Sequence, residues 1–356
     1  MMLTTSLTVF CIGLLVALAG GAFGASIGAN YGFILTGFVV LASWGIVVAT
    51  GSTFSLDYIA FGPFMGPHIV FAGGVAAAIY AAYKGHMDNG KDVNSPLAGL
   101  GKPSVLWVGA LFGAGGHIVQ IAITYIPWFG SHTDSIALTV LLSGITARLL
   151  FGGLPGKGLF KGSLHNLKGR SGTFAQKIAP SDDFGSQWLR WQEKPGQLSA
   201  IGLSFGTAAG AVSLVLASMV SSSLTARGLD GSVAISSANT FAFGISAVII
   251  LFLITNRNMP VQHHATNIAG LAAIQFFPIV GGSFTATEGL GAWFHANESA
   301  VLITLVISAI AGVVTMFAGE FFARIWHSRG TSHIDPPAAA IWICNTAVVS
   351  LAALFA

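Results

Sequence analysis

A histidine and two further polar residues lie deep inside a long apolar segment of the sequence. His117 lies near the middle of residues 104 to 128, and Gln120 and Thr124 follow it at helical spacing on one face. Polar groups at bilayer depth need partners on neighbouring helices or water in a cavity. The pattern predicts that these side chains line a solute pathway, with hydrogen bonding between packed helices as the alternative. A pathway histidine would also allow proton relay, because its ordinary pKa is near neutral.

Two further apolar segments carry hydroxyl side chains at similar helical spacing. Thr139 and Ser143 lie in one segment, and Thr304 and Ser308 lie in the other. Hydroxyl groups can replace the hydration shell of a solute, so we predict that these four residues also line the pathway. The alternative is that each hydroxyl bonds to a carbonyl of its own helix.

Three histidines begin apolar segments directly after glycine- or proline-containing stretches. His68 starts one segment, and the adjacent His263 and His264 start another, with Asn267 one turn further on. Such starts are typical of broken or re-entrant helices, whose free amide groups attract anions. We predict that the three histidines lie at a gate or mouth and that Asn267 lies on the pathway below it, a simple turn being the alternative.

The sequence predicts no metal, cofactor or enzymatic centre. The histidines named above lie at different predicted depths, and Cys11 and Cys344 lie inside apolar runs, so no shared metal or haem site is expected. Lys157 lies between two glycines but lacks the hydroxyl residue that follows the lysine of a phosphate-binding loop. A cysteine nucleophile and an HExxH motif are also missing, so we predict a protein that is not an enzyme and has no nucleic-acid partner.

The composition of the chain indicates which structural elements hold these residues in place. The chain has 356 residues, of which 54% are hydrophobic and only 8% are charged, with a mean hydropathy of +0.78. Membrane-spanning helices need about 20 mostly apolar residues. We therefore predict an all-α polytopic membrane protein with about ten transmembrane helices. These cover residues 5–28, 31–50, 66–83, 104–128, 134–152, 198–224, 235–255, 264–284, 299–324 and 338–356.

The basic residues predict the orientation of these helices. If residues 153–197 are cytoplasmic, alternation places every one of the 15 Lys and Arg residues except Arg227 on that side. Both termini would then be external, and the protein would lie in the plasma membrane. We interpret residues 153–197 as a basic linker between a first half, 1–152, and a second half, 198–356.

An internal duplication is also predicted. A gapless shift that places Trp128 on Trp293 also places Thr139 on Thr304 and Ser143 on Ser308. Four predicted helices separate the two tryptophans, so the halves would be parallel repeats.

These features favour a transporter or channel for a small polar or ionic solute, driven by a gradient because nothing resembles a nucleotide site. The alternative is a non-transporting anchor subunit of a larger complex or a membrane-embedded lipid-processing enzyme. The expected partners are the lipid bilayer and the solute. Glycine-rich faces, such as Gly20 with Gly24 and Gly109 with Gly113, allow close helix packing, which would serve a homo-oligomer as readily as the packing within one bundle.

The predicted orientation can be tested with cysteines introduced at Ser131 and Ser171 after Cys11 and Cys344 are replaced by serine. A membrane-impermeant maleimide added to intact cells should label Ser131→Cys and leave Ser171→Cys unlabelled, because the basic loops face the cytoplasm. Labelling of Ser171→Cys alone would show that the orientation is the opposite of the predicted one.

Overall fold

The computed structural model describes residues 7–151, 172–173, 178, 189–255, 257–328 and 330–355. This part of the chain is helical, and its only β-type pairing is an isolated bridge between Gly90 and Ser332. Most of the linker predicted at 153–197, including Lys157, lies outside the described residues.

The described chain forms thirteen α-helices joined by short irregular segments. Two π-helical turns, Leu56–Ala60 and Ala323–His327, and a 3-10 turn, Leu97–Leu100, lie between them. The α-helices are α1 Leu7–Ile27, α2 Ala29–Thr50, α3 Val70–Tyr83, α4 Pro103–Thr124, α5 Phe129–His132, α6 Ser135–Phe151, α7 Pro195–Ala226, α8 Ser232–Ser237, α9 Asn239–Ile254, α10 His263–Phe276, α11 Leu290–Ala296, α12 Glu298–Phe322 and α13 Pro336–Ala352.

Six helical stretches in the described residues are long and apolar enough to cross a membrane. The helices α3 and α10 have 14 residues and α6 and α13 have 17. At about 1.5 Å per residue, each of these four is shorter than the roughly 30 Å apolar core of a bilayer. Helix length therefore supports six crossings, whereas the sequence predicted ten. The six are Leu7–Ile27, Ala29–Thr50, Pro103–Thr124, Pro195–Ala226, Ser232–Ile254 and Glu298–His327.

Three predicted boundaries are corrected by several residues. The segment predicted from 66 becomes helical only at Val70, after a proline at 67. The segment predicted to reach 128 stops at Thr124, just before Pro127, and the one predicted to reach 284 stops at Phe276. Proline residues at 67, 127 and 278 interrupt the helical hydrogen bonding near these ends, although the surrounding residues remain apolar.

Helices α1 and α4 cross at residues that lack bulky side chains. A Cβ atom on Gly21 would overlap the carbonyl oxygen of Gly109 and would lie 2.8 Å from the Cα atom of Gly113. Gly20 and Gly24 face the backbone of the segment that leads into α3. The structure therefore uses these glycine faces for packing within one chain, which is one of the two roles that the sequence allowed.

Helices α7 and α12 cross in the same way. A Cβ atom on Gly202 would lie 2.6 Å from the Cα atom of Val313, and one on Gly312 would overlap the carbonyl oxygen of Gly202. The short helix α3 packs against both α1 and α4, and the short helix α10 packs against both α7 and α12. Helices α2 and α9 pack against each other between these two groups.

The outer faces of the long helices are apolar. Trp107 and Leu111 on α4 are 67% and 65% exposed, and Val306 and Ile310 on α12 are 60% and 57% exposed. Large apolar side chains at this density are unfavourable in water and favourable against lipid chains. The exposed surface and the buried glycine contacts therefore both fit a helical membrane protein.

The α1–α4 contact can be tested by adding one methyl group. Gly21→Ala should lower the unfolding temperature of the detergent-purified protein by several degrees, because overpacking costs about 1–3 kcal/mol. Gly115→Ala on α4 is the matched control, since no atom lies within 4 Å of its added Cβ. That control should unfold at the same or a higher temperature, because alanine favours helix over glycine. Equal unfolding temperatures for the two variants would contradict the packing.

Candidate solute cavity

A cavity of about 490 Å³ lies between the two helix groups. Its described lining comes from α2, α3, α6, α9, α10 and α13 and from the segments that precede several of them. Cavities of this volume hold small-molecule ligands when apolar walls carry a few polar groups.

Both short helices begin at this cavity. Pro67 and Phe71 line it from the start of α3, and His263 and Asn267 line it from the start of α10. The first amide groups of a helix lack intrahelical partners and give this end a partial positive charge. At α3, however, the N–H groups of Val70 and Ala72 donate to the carbonyls of Gly66 and Pro67 in the preceding turn.

Aromatic rings crowd the middle of the lining. The ring of Phe33 lies 4.8 Å from His263, 5.7 Å from Phe243 and 5.9 Å from Phe71, measured between ring centroids. Phe61 lies 5.9 Å from Phe243. These rings make the centre of the cavity narrow and largely apolar.

Two asparagine pairs add polar groups to the lining. Asn30 Nδ2 donates to Asn94 Oδ1 at 2.6 Å, and Asn239 Nδ2 donates to Asn267 Oδ1 at 2.7 Å. All four asparagines line the cavity. Each pair joins the start of a long helix, α2 or α9, to a neighbouring element.

Two aspartates cap helices at the cavity wall. Asp134 Oδ1 accepts from the backbone N–H of Ala137 at 2.8 Å, and Asp335 Oδ2 accepts from Ala338 at 2.7 Å. Such caps stabilise a helix by about 1 kcal/mol. Asp335 Oδ1 also lies 3.1 Å from Nε2 of His333, a buried residue whose Nδ1 has no hydrogen-bond partner.

Basic side chains join the segment after α3 and the end of α6 to the segment before α13. Lys91 Nζ donates to the carbonyl of Ser328 at 3.3 Å. Arg148 donates from Nε to Ser332 Oγ at 2.6 Å and from Nη2 to the carbonyl of Trp326 at 2.8 Å. Burial, together with the nearby charge of Arg148, lowers the pKa of Lys91 to about 8.

The structure places only part of the predicted site at this cavity. His263 and Asn267 line it. His264 is fully buried against Gly319, and neither of its ring nitrogens has a partner in the described protein. His68 is buried beside Gly66, and it is not among the residues that line the cavity.

The predicted stripe on α4 lies at helix interfaces instead. His117 packs against Gly13 of α1 and stacks on Phe10, with the ring centroids 6.0 Å apart. Gln120 donates to Ser135 Oγ at 3.0 Å, and Thr124 donates to the carbonyl of Ile121 at 2.7 Å. These three side chains make contacts between and within helices, and none of them lines the cavity.

The four predicted hydroxyl residues are also separated from the cavity. Thr139 donates to the carbonyl of Ser135 at 2.7 Å, and Ser143 lies on the same helix, α6. Thr304 and Ser308 are buried on α12, and their hydroxyl groups have no partner in the described protein. The structure therefore does not bring the two hydroxyl pairs together around one pathway.

Two repeated sequence patterns mark polar lining residues that we did not predict from the sequence. The sequence Ser-His-x-Asp occurs at residues 131–134 and again at residues 332–335, each time directly before a helix. The dipeptide Ala-Asn occurs at residues 29–30 and 238–239, at the starts of α2 and α9, and a third time at 296–297, directly before α12. The missed residues are Asn30, Asn94, Asn239, His333 and Asp335.

The chain belongs to a family of unknown function, DUF7973, whose family model matches residues 2–229 and 221–356. Comparisons with curated proteins and with solved structures each gave no match. Family membership therefore covers almost the whole chain and assigns no activity to the cavity.

The lowered pKa of Lys91 can be tested by measuring its acetylation at different pH values by mass spectrometry. Labelling of Lys91 should rise to half its maximum near pH 8, because the neutral amine is the reactive form. Arg148→Gln should move this midpoint upward, since it removes a nearby positive charge. Arg227→Gln, on a different loop, is the control and should leave the midpoint unchanged. A midpoint near the ordinary lysine value of about 10.4 in the unmodified protein would contradict the assignment.

Proposed function

We propose that this protein is an integral membrane transporter or channel that carries a small polar or ionic solute through the cavity, driven by a gradient. The observation that supports this most is that both parts of the chain contribute corresponding residues to one cavity. Transporters with internal repeats place their solute sites between the repeats in the same way.

The correspondence rests on matched sequence positions. Aligning Asp134 with Asp335 places two helix-capping carboxylates at one position, and both line the cavity. Aligning Gly74 with Gly270 places Pro67 on His263 and Phe71 on Asn267, and all four of these residues also line the cavity. We therefore propose a duplication in which α1–α6 corresponds to α7–α13.

Helix packing supports the same correspondence. The short helix α3 packs against α1, α2, α4 and α6, and the short helix α10 packs against α7, α9, α12 and α13. In this pairing α12 corresponds to α4 and α13 corresponds to α6. Thr139 on α6 and Thr304 on α12 then occupy unrelated positions, unlike in the parallel alignment that the sequence predicted.

From this pairing of helices we propose ten membrane crossings, arranged as two inverted repeats. Each repeat has three long helical stretches, a short helix with an irregular partner segment, and a 17-residue helix, which together make five crossings. An odd number of crossings places successive repeats in opposite orientations. The proposed axis that relates them therefore lies in the membrane plane.

The irregular segment before α3 supports a crossing that begins as non-helical backbone. Thr36 Oγ1 donates to the carbonyl of Met65 at 2.6 Å, and Gly20 lies against the carbonyl of Phe64. Non-helical backbone is tolerated at membrane depth only where protein or a cavity satisfies it. These contacts allow α3 to begin beside the cavity rather than at the membrane surface.

We propose that the basic loops are cytoplasmic and that the protein lies in the plasma membrane. Arg227 would then be external, where its guanidinium group donates to the carbonyls of Val48 and Ala49 at the end of α2. The contacts of Lys91 and Arg148 would close the cytoplasmic side of the cavity.

Transport can be tested with the purified protein in sealed lipid vesicles, using light scattering to follow entry of urea, glycerol, amino acids, simple salts and a neutral cyclic amide such as uracil. At least one of these solutes should enter faster than in vesicles without protein. In a variant lacking Cys11 and Cys344, a charged thiol reagent should reduce that flux by more than half for Val140→Cys, whose side chain lines the cavity.

Ile343→Cys is the matched control for this experiment. Its side chain is on α13 and is 46% exposed on the outer surface of the bundle, so modification should leave the flux unchanged. Failure of every solute to enter faster than in empty vesicles would contradict the proposal, as would equal inhibition of both variants.

A further inference from the structure

The two asparagine pairs leave matching hydrogen-bonding groups at the cavity. Each pair uses one amide N–H and one carbonyl oxygen in its internal bond, so one carbonyl oxygen and one NH₂ group remain on each pair. In the described part of the chain, the protein provides no further side-chain partner for these four amides. Each pair therefore keeps one acceptor and one donor group that a solute can use, whichever asparagine donates within it.

One asparagine of each pair occupies a corresponding place in the two proposed repeats. Asn30 and Asn239 each follow an alanine at the start of α2 and α9. Their partners lie at different positions, Asn94 in the segment after α3 and Asn267 within α10. All four asparagines line one cavity, so a solute there can meet either pair.

Aromatic rings lie next to both pairs. Phe33 is one helical turn beyond Asn30, and Phe243 is one turn beyond Asn239. The two ring centroids are 5.7 Å apart, and both rings line the cavity. Planar amide-containing rings stack on aromatic faces, which add affinity without requiring charge.

A buried imidazole adds a further ring to the lining. His263 is only 6% exposed and lines the cavity, and its ring centroid is 4.8 Å from that of Phe33. Its Nδ1 has no partner among the described residues and is enclosed by protein, so this side chain contributes its ring surface to the lining rather than a hydrogen bond from Nδ1.

We propose that the cavity binds a neutral planar solute with neighbouring N–H and C=O groups, a cyclic amide of the nucleobase type. This inference rests on the proposed function, because it takes the cavity to be the solute site. The charged residues of the lining, Lys91, Asp134 and Asp335, carry both signs, so a charged solute would also meet a like charge. The cavity volume of about 490 Å³ leaves room for one such ring and water.

Equilibrium binding of radiolabelled uracil to the purified full-length protein tests this directly. Unlabelled uracil should compete, whereas 1,3-dimethyluracil should compete at least tenfold more weakly, because it lacks both N–H donors. Acetate and tetramethylammonium should not compete at the same concentrations. Equal competition by uracil and 1,3-dimethyluracil would overturn the proposal.

Variants identify the groups that bind. Asn30→Leu and Asn239→Leu should each weaken uracil binding at least tenfold, because a donor and an acceptor are lost together. Asn345→Leu is the matched control, since Asn345 bonds to the carbonyl of His132 and is not part of the lining. If either leucine variant unfolds in detergent, the corresponding alanine variant replaces it. Unchanged binding in folded Asn30 and Asn239 variants would overturn the proposal.

Binding and flux separate this inference from the proposed function. Uracil binding without uptake of any solute into vesicles would support the binding site and contradict transport. Uptake of another solute, with no uracil binding by the folded protein, would overturn this inference and leave transport supported.

Discussion

Each backbone amide and carbonyl inside a bilayer must find a partner within the protein, because lipid chains offer none. Most of the described chain meets this requirement by forming helices. The non-helical segments before α3 and α10 lie at the candidate site. Before α3, the non-helical backbone is bonded by Thr36 and covered by Gly20 and Gly116, which contacts the carbonyl of His68. Before α10, Gln192 bonds both to the carbonyl and to the N–H of Val261. The two breaks therefore place helix starts at the cavity, with Met65 and Val261 of the non-helical backbone bonded by side chains.

Close packing at glycines gives these broken segments their positions. Because Gly21 and Gly109 bring α1 against α4, the short helix α3 is held beside both, and Gly202 with Gly312 does the same for α7, α12 and α10. Close-packed interiors are rigid, because even a small increase in side-chain volume forces neighbouring atoms to move. The space between the two groups is then filled by longer side chains, including Phe33, and what they leave open is the cavity.

The sequence predicted the positions of the helices better than it predicted which helices pack against each other. Apolar length located every long helix within a few residues, and the glycine and proline patterns identified the broken starts at His68 and His263. Helical spacing placed His117 on a polar face of α4, but it does not say which neighbour covers that face, and Gly13 of α1 covers it. The shift that aligned Trp128 with Trp293 compared helices with different packing, whereas the repeated Ser-His-x-Asp motif joins helices with similar packing.

We propose that two inverted repeats enclose the cavity at which both short helices begin. A cryo-electron microscopy map of the protein in lipid nanodiscs, at a resolution that shows water, can distinguish this arrangement from its alternatives. We expect an axis in the membrane plane to relate α1–α6 to α7–α13, with ordered water beside Asn30 and Asn239. An axis along the membrane normal, or lipid chains and side chains filling the space between α3 and α10, would contradict it.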